Sequence, residues 1–500
     1  MAGRRRSDPP GLLIRTVTSF YRAARFALIA LCGASAMACE AGPSTFDRPR
    51  TEQAASQPIP DSVPDSVEVS PAAETPAPQT SEPEGVDVPG AEQAAGDAGG
   101  VQPKAGTDQT TAVAAPDSVG PSDPERRVRF PHPGQVRGLY VNSWAAGSRN
   151  RMADLLEIAE RTEVNAFVID IKDASGYVSH HTELPMASEI GSTEEIRIRD
   201  LPGLLDRLEA ARIYPIARIV VVKDPVLSAA RPDLAIQDTA GGTWVDSKGI
   251  VWLNPYHEDV WEYHVGLARE VAQLGFPEIQ WDYVRFPDVP VSDKERARYP
   301  GAGEQSQPDA IRAFLEYSRD ELSNLDVQVT ADVFGVTTSA SRDVGIGQVW
   351  ESFIDVIDVA LPMVYPSHYW EGSFGIDSPN AYPYEIVKGA LDDAVRRSAD
   401  IEGAGTTRPW LQDFTLGAPR YGAPEVRAQI QATLDAGLDS WILWNPGSHY
   451  TEGALEPTGG FVEEPLVRIA NEIVPVSRRF ELLSAAEAND SIRGGREPGR

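Results

Sequence analysis

The chain has 500 residues and a formal net charge of −29, with 74 acidic against 45 basic side chains. Phosphate backbones and anionic membrane surfaces repel such a chain, so we expect no nucleic-acid partner and no direct attraction to a membrane surface. Its two cysteines, Cys32 and Cys39, both precede residue 40, so the rest of the sequence offers no disulfide and no cysteine-based metal site. A hydrophobic core must therefore stabilise the fold.

The first 39 residues have the features of an export signal. An arginine cluster at residues 4–6 precedes an apolar run, residues 26–38, which is too short for an ordinary transmembrane helix. Small residues lead to Cys39 in a pattern that resembles a bacterial lipoprotein signal, in which the cysteine is lipidated and becomes the new N-terminus. We predict an exported protein of the cell envelope whose membrane contact is a lipid anchor at Cys39. Plain secretion is the alternative.

The next segment, residues 40–125, is rich in Pro, Ala, Gly, Ser, Thr and acidic residues and has almost no aromatic residue after Phe46. Such a composition cannot bury enough apolar surface to offset the loss of chain entropy on folding. We predict a disordered acidic linker here and a flexible tail at residues 479–500. The folded domain is then predicted at residues 126–478.

Within that domain, eight apolar, β-branched runs alternate with stretches of helical spacing. Near-continuous apolar strands in a βα alternation indicate a parallel sheet that is covered by helices. Eight such units predict the α/β class and a single (β/α)8 TIM barrel. A doubly wound sheet is the alternative, but no glycine-rich phosphate turn follows the first strand. The predicted strands are residues 136–144, 166–173, 214–224, 278–287, 328–335, 356–366, 408–414 and 440–447.

Two connections after predicted strands are unusually long, residues 174–199 and 225–255. The second contains two glycine-tryptophan segments that predict a hairpin at residues 241–252. Long loops that follow the strands of a barrel lie over its active face, so we expect both to build a binding cleft.

In a barrel of this kind, catalytic residues lie where the strands end. Asp282 stands at the end of the predicted fourth strand, and the alternation of side chains places Gln280 on its side of the strand and Trp281 and Tyr283 on the other. Paired carboxylates with an arginine, amides and aromatics suit glycoside hydrolysis, in which one carboxylic acid protonates the leaving oxygen and one carboxylate attacks carbon or activates water. The inward candidates on the other strands are Asp170, Arg218, Asp332, Gln412 and Trp444.

The predicted catalytic residues are Asp282, Asp332 and Asp170. Neither a nucleophile-elbow serine nor a histidine cluster of metal-site type is present in the sequence, so no metal and no cofactor is expected. The predicted substrate-binding residues are Arg218, Tyr283, Arg285, Tyr365, His368, Gln412, Trp444, Asn445 and Trp252.

Six motifs occur in order along the predicted barrel: RGLYV at 137–141, VIDIKD at 168–173, IARIV at 216–220, KDP at 223–225, QWDYVRFP at 280–287 and PMVYPSHY at 362–369. Together they resemble the bacterial glycoside hydrolase domain family that was long catalogued as a domain of unknown function. The resemblance covers residues 136–473 and implies a barrel distantly similar to the α-amylase-type hydrolases, with a polysaccharide or oligosaccharide as substrate.

The amylase pattern implies an Asp nucleophile at the end of strand four, which Asp282 matches, and an Arg two residues earlier, where this chain has Gln280. It implies a Glu acid at the end of strand five, where this chain has the shorter Asp332. We predict Asp282 as nucleophile or base and Asp332 as proton donor, with Asp170 as the alternative donor. The predicted function is an exported hydrolase of a cell-envelope or environmental polysaccharide. A catalytically inactive glycan-binding barrel is the alternative.

Overall fold

The structure is a computed structural model that describes residues 129–485. The predicted signal segment, its Cys39 and the predicted linker lie outside the described residues, and so do residues 486–500. None of the helices between residues 129 and 485 is long and apolar enough to cross a membrane.

Eight parallel strands form a closed barrel. Their order around the ring follows the chain from β1 to β8, and the ring closes because β8 pairs with β1 through Arg137 and Trp441. β6 pairs with β7 through Met363 and Trp410, and it also pairs with Thr406–Thr407, which lies just before β7. The predicted α/β barrel is confirmed. Its strands are β1 Arg137–Val141, β2 Ala166–Lys172, β3 Tyr214–Val220, β4 Glu278–Asp282, β5 Gln328–Phe334, β6 Val359–Met363, β7 Trp410–Gln412 and β8 Trp441–Trp444.

The strands are buried on both faces, as their near-continuous apolar sequences predict. Every residue of β2, β3 and β4 is buried. On β4, Trp281 points away from the barrel axis, where its ring lies 5.2 Å from that of Phe314 and its Nε1 donates to Ser318. Gln280 points inward, so the predicted alternation holds along this strand.

Eleven α-helices lie within residues 129–478, and side chains cap several of them. Ser148, Asp200 and Ser306 accept a backbone N–H at the starts of three helices, as capping residues do. The helices are α1 Ser143–Gly147, α2 Arg149–Arg161, α3 Pro185–Glu189, α4 Leu201–Ala210, α5 Pro225–Ala230, α6 Glu258–Leu274, α7 Val291–Lys294, α8 Gln307–Leu322, α9 Trp350–Phe353, α10 Pro383–Ser398 and α11 Ala423–Asp435.

The expectation that a full amphipathic helix follows each strand is wrong in two places. After β5 the only α-helix before β6 is the four-residue α9. After β8 the described chain forms an antiparallel hairpin, Leu466–Ile469 with Glu472–Pro475. This hairpin buries Val467 and Ile469, and its Arg468 pairs with Glu425 of α11 at 2.7 Å. The hairpin thus packs against α11 and α10, and its apolar residues join the core.

The first seven residues of the predicted C-terminal tail, 479–485, are helical. Arg479 pairs there with Asp435 of α11, with its Nε 2.7 Å from Oδ2. The described part of the chain therefore packs against the barrel slightly beyond the predicted domain boundary at residue 478.

The loops after β3 and β4 are joined to each other above the barrel. Gln237–Asp238 pairs antiparallel with Ala297–Arg298, and Arg296 pairs with Asp238 at 2.6 Å. The predicted hairpin is present in the first of these loops, where Val245 bridges to Val251. Together these segments form one wall over the C-terminal ends of the strands.

Candidate active site

Three inward-facing carboxylates surround the guanidinium of Arg218. Its Nε and Nη2 both donate to Oδ2 of Asp282, with Nε at 3.0 Å, and its Nη1 donates to Oδ1 of Asp170 at 2.5 Å. The same Nε lies 3.8 Å from Oδ2 of Asp332. All four residues are at most 7% exposed. The predicted arrangement, with Arg218 between Asp170 and Asp282, is therefore what the structure contains.

Strand register explains this cluster. Arg218 is the direct neighbour of Asp170 on β2 and of Gln280 on β4. Since side chains alternate along a strand, Asp282 lies two residues beyond Gln280 on the same inward face. Asp332 reaches the same level from β5. The charged groups thus come from four consecutive strands.

Asp332 is the carboxyl whose protonation is most perturbed. Gln280 donates its Nε2 to both oxygens, at 2.9 and 3.1 Å, and Trp410 donates its Nε1 to Oδ1 at 2.6 Å. These bonds and Arg218 favour the charged form, but burial, and after it the charge of Asp282, raise the pKa of Asp332 well above its usual value. Asp332 is therefore a buried carboxylic acid that stays protonated well above the usual pH range for aspartate.

Asp170 is held behind Arg218. Tyr140 donates its hydroxyl to Oδ2 of Asp170 at 2.5 Å. Burial is the largest influence and raises the pKa of Asp170 to about 6, although Arg218 opposes this shift. Asp170 does not line the cleft described below, so its contacts suit a residue that orients Arg218.

Tyr283 departs from the alternation predicted for β4. Its backbone adopts φ 52°, a left-handed conformation, and its N–H donates to Oδ1 of Asp282 at 2.6 Å. Because this conformation ends the strand and turns the chain, the Tyr283 ring lines the cleft instead of packing behind the sheet. The predicted outward orientation of Tyr283 is wrong, while its place in the predicted binding set agrees with this position.

A cleft with two connected parts opens above these residues. The inner pocket has a volume of about 540 Å³ and the outer groove, which is open to solvent, about 860 Å³. The inner pocket is lined by Arg218, Asp282, Asp332, Trp410, Trp444 and the shared residues. The outer groove adds Trp252, Lys223, Lys248, Tyr369 and Trp370. The shared residues are Tyr283, Arg285, Phe334, Met363, Tyr365 and His368.

Aromatic rings form the far wall of the inner pocket. The Tyr365 ring stacks on that of Trp444, with centroids 5.6 Å apart, and Phe414 meets Trp444 edge to face at 5.1 Å. Burial lowers the pKa of the adjacent His368 to about 4, so this imidazole is neutral at pH 7. Flat apolar faces beside a few polar groups are typical of a ligand-binding cleft.

Two residues of the predicted binding set lie outside the cleft. Gln412 is fully buried, where its side chain donates to the carbonyl of Phe414 and accepts from the N–H of Ser367. Asn445 donates to the carbonyl of Asp413 and accepts from the N–H of Gly447. Both amides form hydrogen bonds with loop backbone, so their polar atoms already have partners in the protein. The other predicted residues Trp252, Tyr283, Arg285, Tyr365, His368 and Trp444 line the cleft.

Sequence reasoning missed two direct partners of the carboxylates, Tyr140 and Trp410. Trp410 lies two residues before Gln412 on β7, so the alternation that selected Gln412 also places Trp410 on the inward face. Tyr140 shares the inward side of β1 with Gly138 by the same rule. Applying the two-residue alternation of side chains to every predicted strand places both residues in the barrel interior. Among residues 129–485, no group of three or more His, Cys, Asp or Glu residues is arranged to hold a metal ion.

Three similar solved structures have TM-scores below 0.5. A hypothetical protein from Ruminiclostridium thermocellum ATCC 27405 is 37% identical over 39% of this chain and 97% of that chain, with a TM-score of 0.36. The PgaB (BpsB) glycoside hydrolase domain from Bordetella bronchiseptica is 14% identical over 63% and 95%, with a TM-score of 0.46. The noncanonic maltogenic α-amylase AmyB from Thermotoga neapolitana is 12% identical over 55% and 58%, with a TM-score of 0.32.

The family comparison matches the part of the chain that forms the barrel. No curated protein matches the chain. Residues 138–450, from β1 to the loop after β8, match the family described as "Putative glycosyl hydrolase domain". Because this match spans more than half of the sequence, the chain belongs to that family of glycosyl hydrolase domains.

Proposed function

We propose that the protein is an exported glycoside hydrolase that cleaves O-glycosidic bonds of a cell-envelope or environmental polysaccharide with two carboxylates. The supporting observation is the difference between Asp282 and Asp332 in one pocket. Arg218 donates two hydrogen bonds to Asp282, whereas burial beside Asp282 raises the pKa of Asp332. Glycoside hydrolysis requires a carboxylate nucleophile or base and a protonated donor in one pocket, and we assign these roles to Asp282 and Asp332.

In the proposed mechanism, Asp332 donates its proton to the glycosidic oxygen while the bond from that oxygen to the anomeric carbon breaks. Asp282 attacks the anomeric carbon and forms a glycosyl-enzyme ester. Asp332, now ionised, then takes a proton from water, which attacks the same carbon and releases Asp282 as a carboxylate. Arg218 is a positioning residue, since it orients Asp282 and balances its charge.

The proposed location follows from the sequence alone. A basic, then apolar, then small-residue pattern over residues 1–39 supports export, and Cys39 is the proposed lipid anchor. Replacing Cys39 with Ser should move the protein from the membrane fraction to the soluble fraction, because lipid chains supply most of the membrane affinity of such a chain. Unchanged fractionation of the Ser variant would contradict the anchor.

The activity is tested by reducing-end release from a panel of neutral and acidic polysaccharides, together with a glycan-binding array. We expect Asp282→Asn to lower turnover by several powers of ten on any substrate that the unmodified protein cleaves, while binding stays nearly unchanged. The matched control is Asp206→Asn, because the Asp206 side chain is 74% exposed and pairs with Arg129 away from the cleft. Full activity of the Asp282→Asn variant would exclude this mechanism.

One observation favours a catalytically inactive glycan-binding barrel as the second candidate. Asp332 is 1% exposed, and Gln280 and Trp410 already occupy its oxygens as hydrogen-bond donors. A carboxyl enclosed in this way has little access to a substrate oxygen unless its partners move. Array binding without release of reducing ends from the same glycans would favour this candidate.

A further inference from the structure

Arg285 occupies an unusual place in the cleft, at the junction of the inner pocket and the outer groove. Its side chain lines both parts, yet the residue is only 7% exposed. Its guanidinium carbon lies 5.1 Å from the ring centre of Trp252, 4.8 Å from that of Tyr283 and 4.6 Å from that of Phe334. Three aromatic rings therefore hold the planar cation in one position.

Arg285 differs from the other buried arginines in lacking a carboxylate partner. Arg218, Arg408 and Arg427 each form an ion pair with a buried Asp or Glu. Among residues 129–485, no ion pair includes Arg285, and its one hydrogen bond to them runs from Nη1 to the carbonyl of Phe286 at 3.1 Å. Aromatic rings offset part of the cost of burying a cation, but a counter-charge is missing.

Two acidic side chains also line the groove, Asp246 and Asp288. Asp246 accepts from the N–H groups of Lys248 and Ile250 and from Nε1 of Trp252. Asp288 raises the pKa of Lys294 against the larger effect of burial. Neither acid forms an ion pair with Arg285 in the described structure.

Two lysines line the same outer groove as Arg285. Lys223 places its Nζ 5.1 Å from the ring centre of Tyr283, and Lys248 lies on the exposed turn of the hairpin. Three cations thus line the outer groove of a chain whose net charge is −29. A chain of that charge repels an anionic polymer at long range, so binding one requires local cations of this kind.

We propose that the junction of groove and pocket binds an acidic sugar residue, with Arg285 as the recognition group for its carboxylate or sulfate oxygens. This inference rests on the proposed function, since it names the substrate class of the same cleft. The fork of N–H donors on arginine matches the paired oxygens of such groups, and the aromatic rings around it provide faces for the sugar. The substrate class is a uronate-containing or sulfated polysaccharide.

The experiment measures binding in the Asp282→Asn background, so that cleavage does not remove the ligand. The probes are polygalacturonate and the same polymer with its carboxyl groups chemically reduced to hydroxyls, and dextran sulfate and unmodified dextran. Within each pair the sugar backbone stays the same and only the anion differs. We expect one acidic polymer to bind at least about tenfold more tightly than its neutral counterpart, with a preference that weakens as salt rises.

Arg285→Gln should abolish that preference, with a loss of about 10- to 100-fold in affinity for the acidic polymer and little change for the neutral one. Arg285→Lys should retain part of it, because the charge stays while the fork is lost. Circular dichroism checks the fold of both. If Arg285→Gln does not fold, Lys248→Gln at the exposed turn replaces it. This variant should weaken binding of the acidic polymer and leave binding of its neutral counterpart unchanged.

Equal binding of both members of each pair would overturn the inference, and so would a preference that survives in the variants. Absence of binding to both acidic polymers would also overturn it. A preference for polygalacturonate identifies the carboxylate as the ligand, and one for dextran sulfate identifies the sulfate. Failure of the proposed hydrolysis is seen separately, as anion-dependent binding by the unmodified protein without release of reducing ends.

Discussion

Arg218 on β3 donates to Asp282 on the neighbouring strand β4 through both Nε and Nη2. In the amylase pattern an arginine two residues before the nucleophile is expected, and that position here is Gln280. Gln280 instead donates to both oxygens of Asp332. The cation that balances Asp282 is therefore present in the site but comes from the adjacent strand, which removes one of the two departures that the sequence suggested.

Arg218 should be a major contributor to stability as well as to the site. Removing it leaves Asp170 and Asp282 buried without their cation, and breaking buried ion pairs costs about 3 to 5 kcal/mol. We expect Arg218→Gln to lower the free energy of unfolding at pH 7 by roughly that amount, as measured by urea denaturation.

The control for Arg218 is Arg231→Gln, because Arg231 pairs with Asp233 on the surface, where both side chains are well exposed. Solvent screens such pairs, so Arg231→Gln should lower the free energy of unfolding by no more than about 1 kcal/mol. Equal effects of the two substitutions would show that Arg218 is not balancing buried charge.

Asp413 should make stability depend on pH between about 4 and 7. It is buried after β7, where it accepts from the N–H and the hydroxyl of Thr451, and burial raises its pKa to about 6 against an ordinary 3.8. A carboxyl whose pKa is raised by folding stabilises the native state fully below its unfolded pKa, and this contribution is lost as pH rises through about 6.

The test compares urea unfolding of the unmodified protein and Asp413→Asn at several pH values. Asn stays neutral, so the stability of the unmodified protein relative to the variant should fall by about 2 to 3 kcal/mol between pH 4 and pH 7. The exposed Asp439→Asn serves as the matched control and should show a nearly constant difference. A constant difference for Asp413→Asn as well would contradict the prediction.

Much of the barrel could be predicted because its strands carry a local signal. Strands buried on both faces must be apolar almost throughout, and the alternation of side chains then places Asp170, Arg218 and Asp282 on one side. The hairpin after β8 could not be predicted in this way, because its pairing depends on the surface that α10 and α11 offer. The number of strands can thus be predicted from the local sequence, whereas the structure of the segment after the last strand depends on tertiary contacts.

The parts of the site that could not be predicted are those whose side-chain positions depend on backbone conformation or on contacts between distant residues. Tyr283 enters the cleft because its φ is positive, which a tyrosine seldom adopts and no composition rule signals. Gln412 and Asn445 have the right residue type but satisfy loop backbone instead. Alternation could place Trp410 on the inward face, but its contact with Asp332, two strands away, depends on the curvature of the barrel.

Hydrolysis is expected to proceed with retention of anomeric configuration. Oδ2 of Asp282 and Oδ2 of Asp332 lie 3.0 and 3.8 Å from the same Nε of Arg218, so the two carboxyls are close neighbours. Retaining enzymes hold their carboxyls about 5 Å apart, and inverting enzymes leave room for a water between them. Proton NMR of the first products formed, before the anomers interconvert, checks this. Initial release of the opposite anomer would require Asp282 to act as a base on water.

The effect of replacing Asp332 should depend on the leaving group of the substrate, whereas the effect of replacing Asp282 should not. A proton donor is needed when the departing oxygen is a poor leaving group, as in a polysaccharide, but not when it belongs to an acidic phenol such as nitrophenol. We expect Asp332→Asn to lower turnover of the glycan by about 10²- to 10⁴-fold, while kcat/KM for the matching nitrophenyl glycoside changes far less, because that ratio reports the first step and not the second, in which Asp332 acts as base. Asp282→Asn should abolish both reactions, because the attacking carboxylate is needed in each.

The pH profile gives an independent check on the same assignment. Because burial and Asp282 raise the pKa of Asp332, the unmodified protein should keep its protonated donor to a higher pH than an ordinary aspartate would and lose glycan cleavage as Asp332 ionises. That alkaline decline should be absent from nitrophenyl glycoside cleavage by Asp332→Asn. If Asp332→Asn instead lowers both reactions equally, Asp332 supports the structure of the pocket and the proton comes from another group, for which Asp170, with a pKa of about 6, is the first candidate.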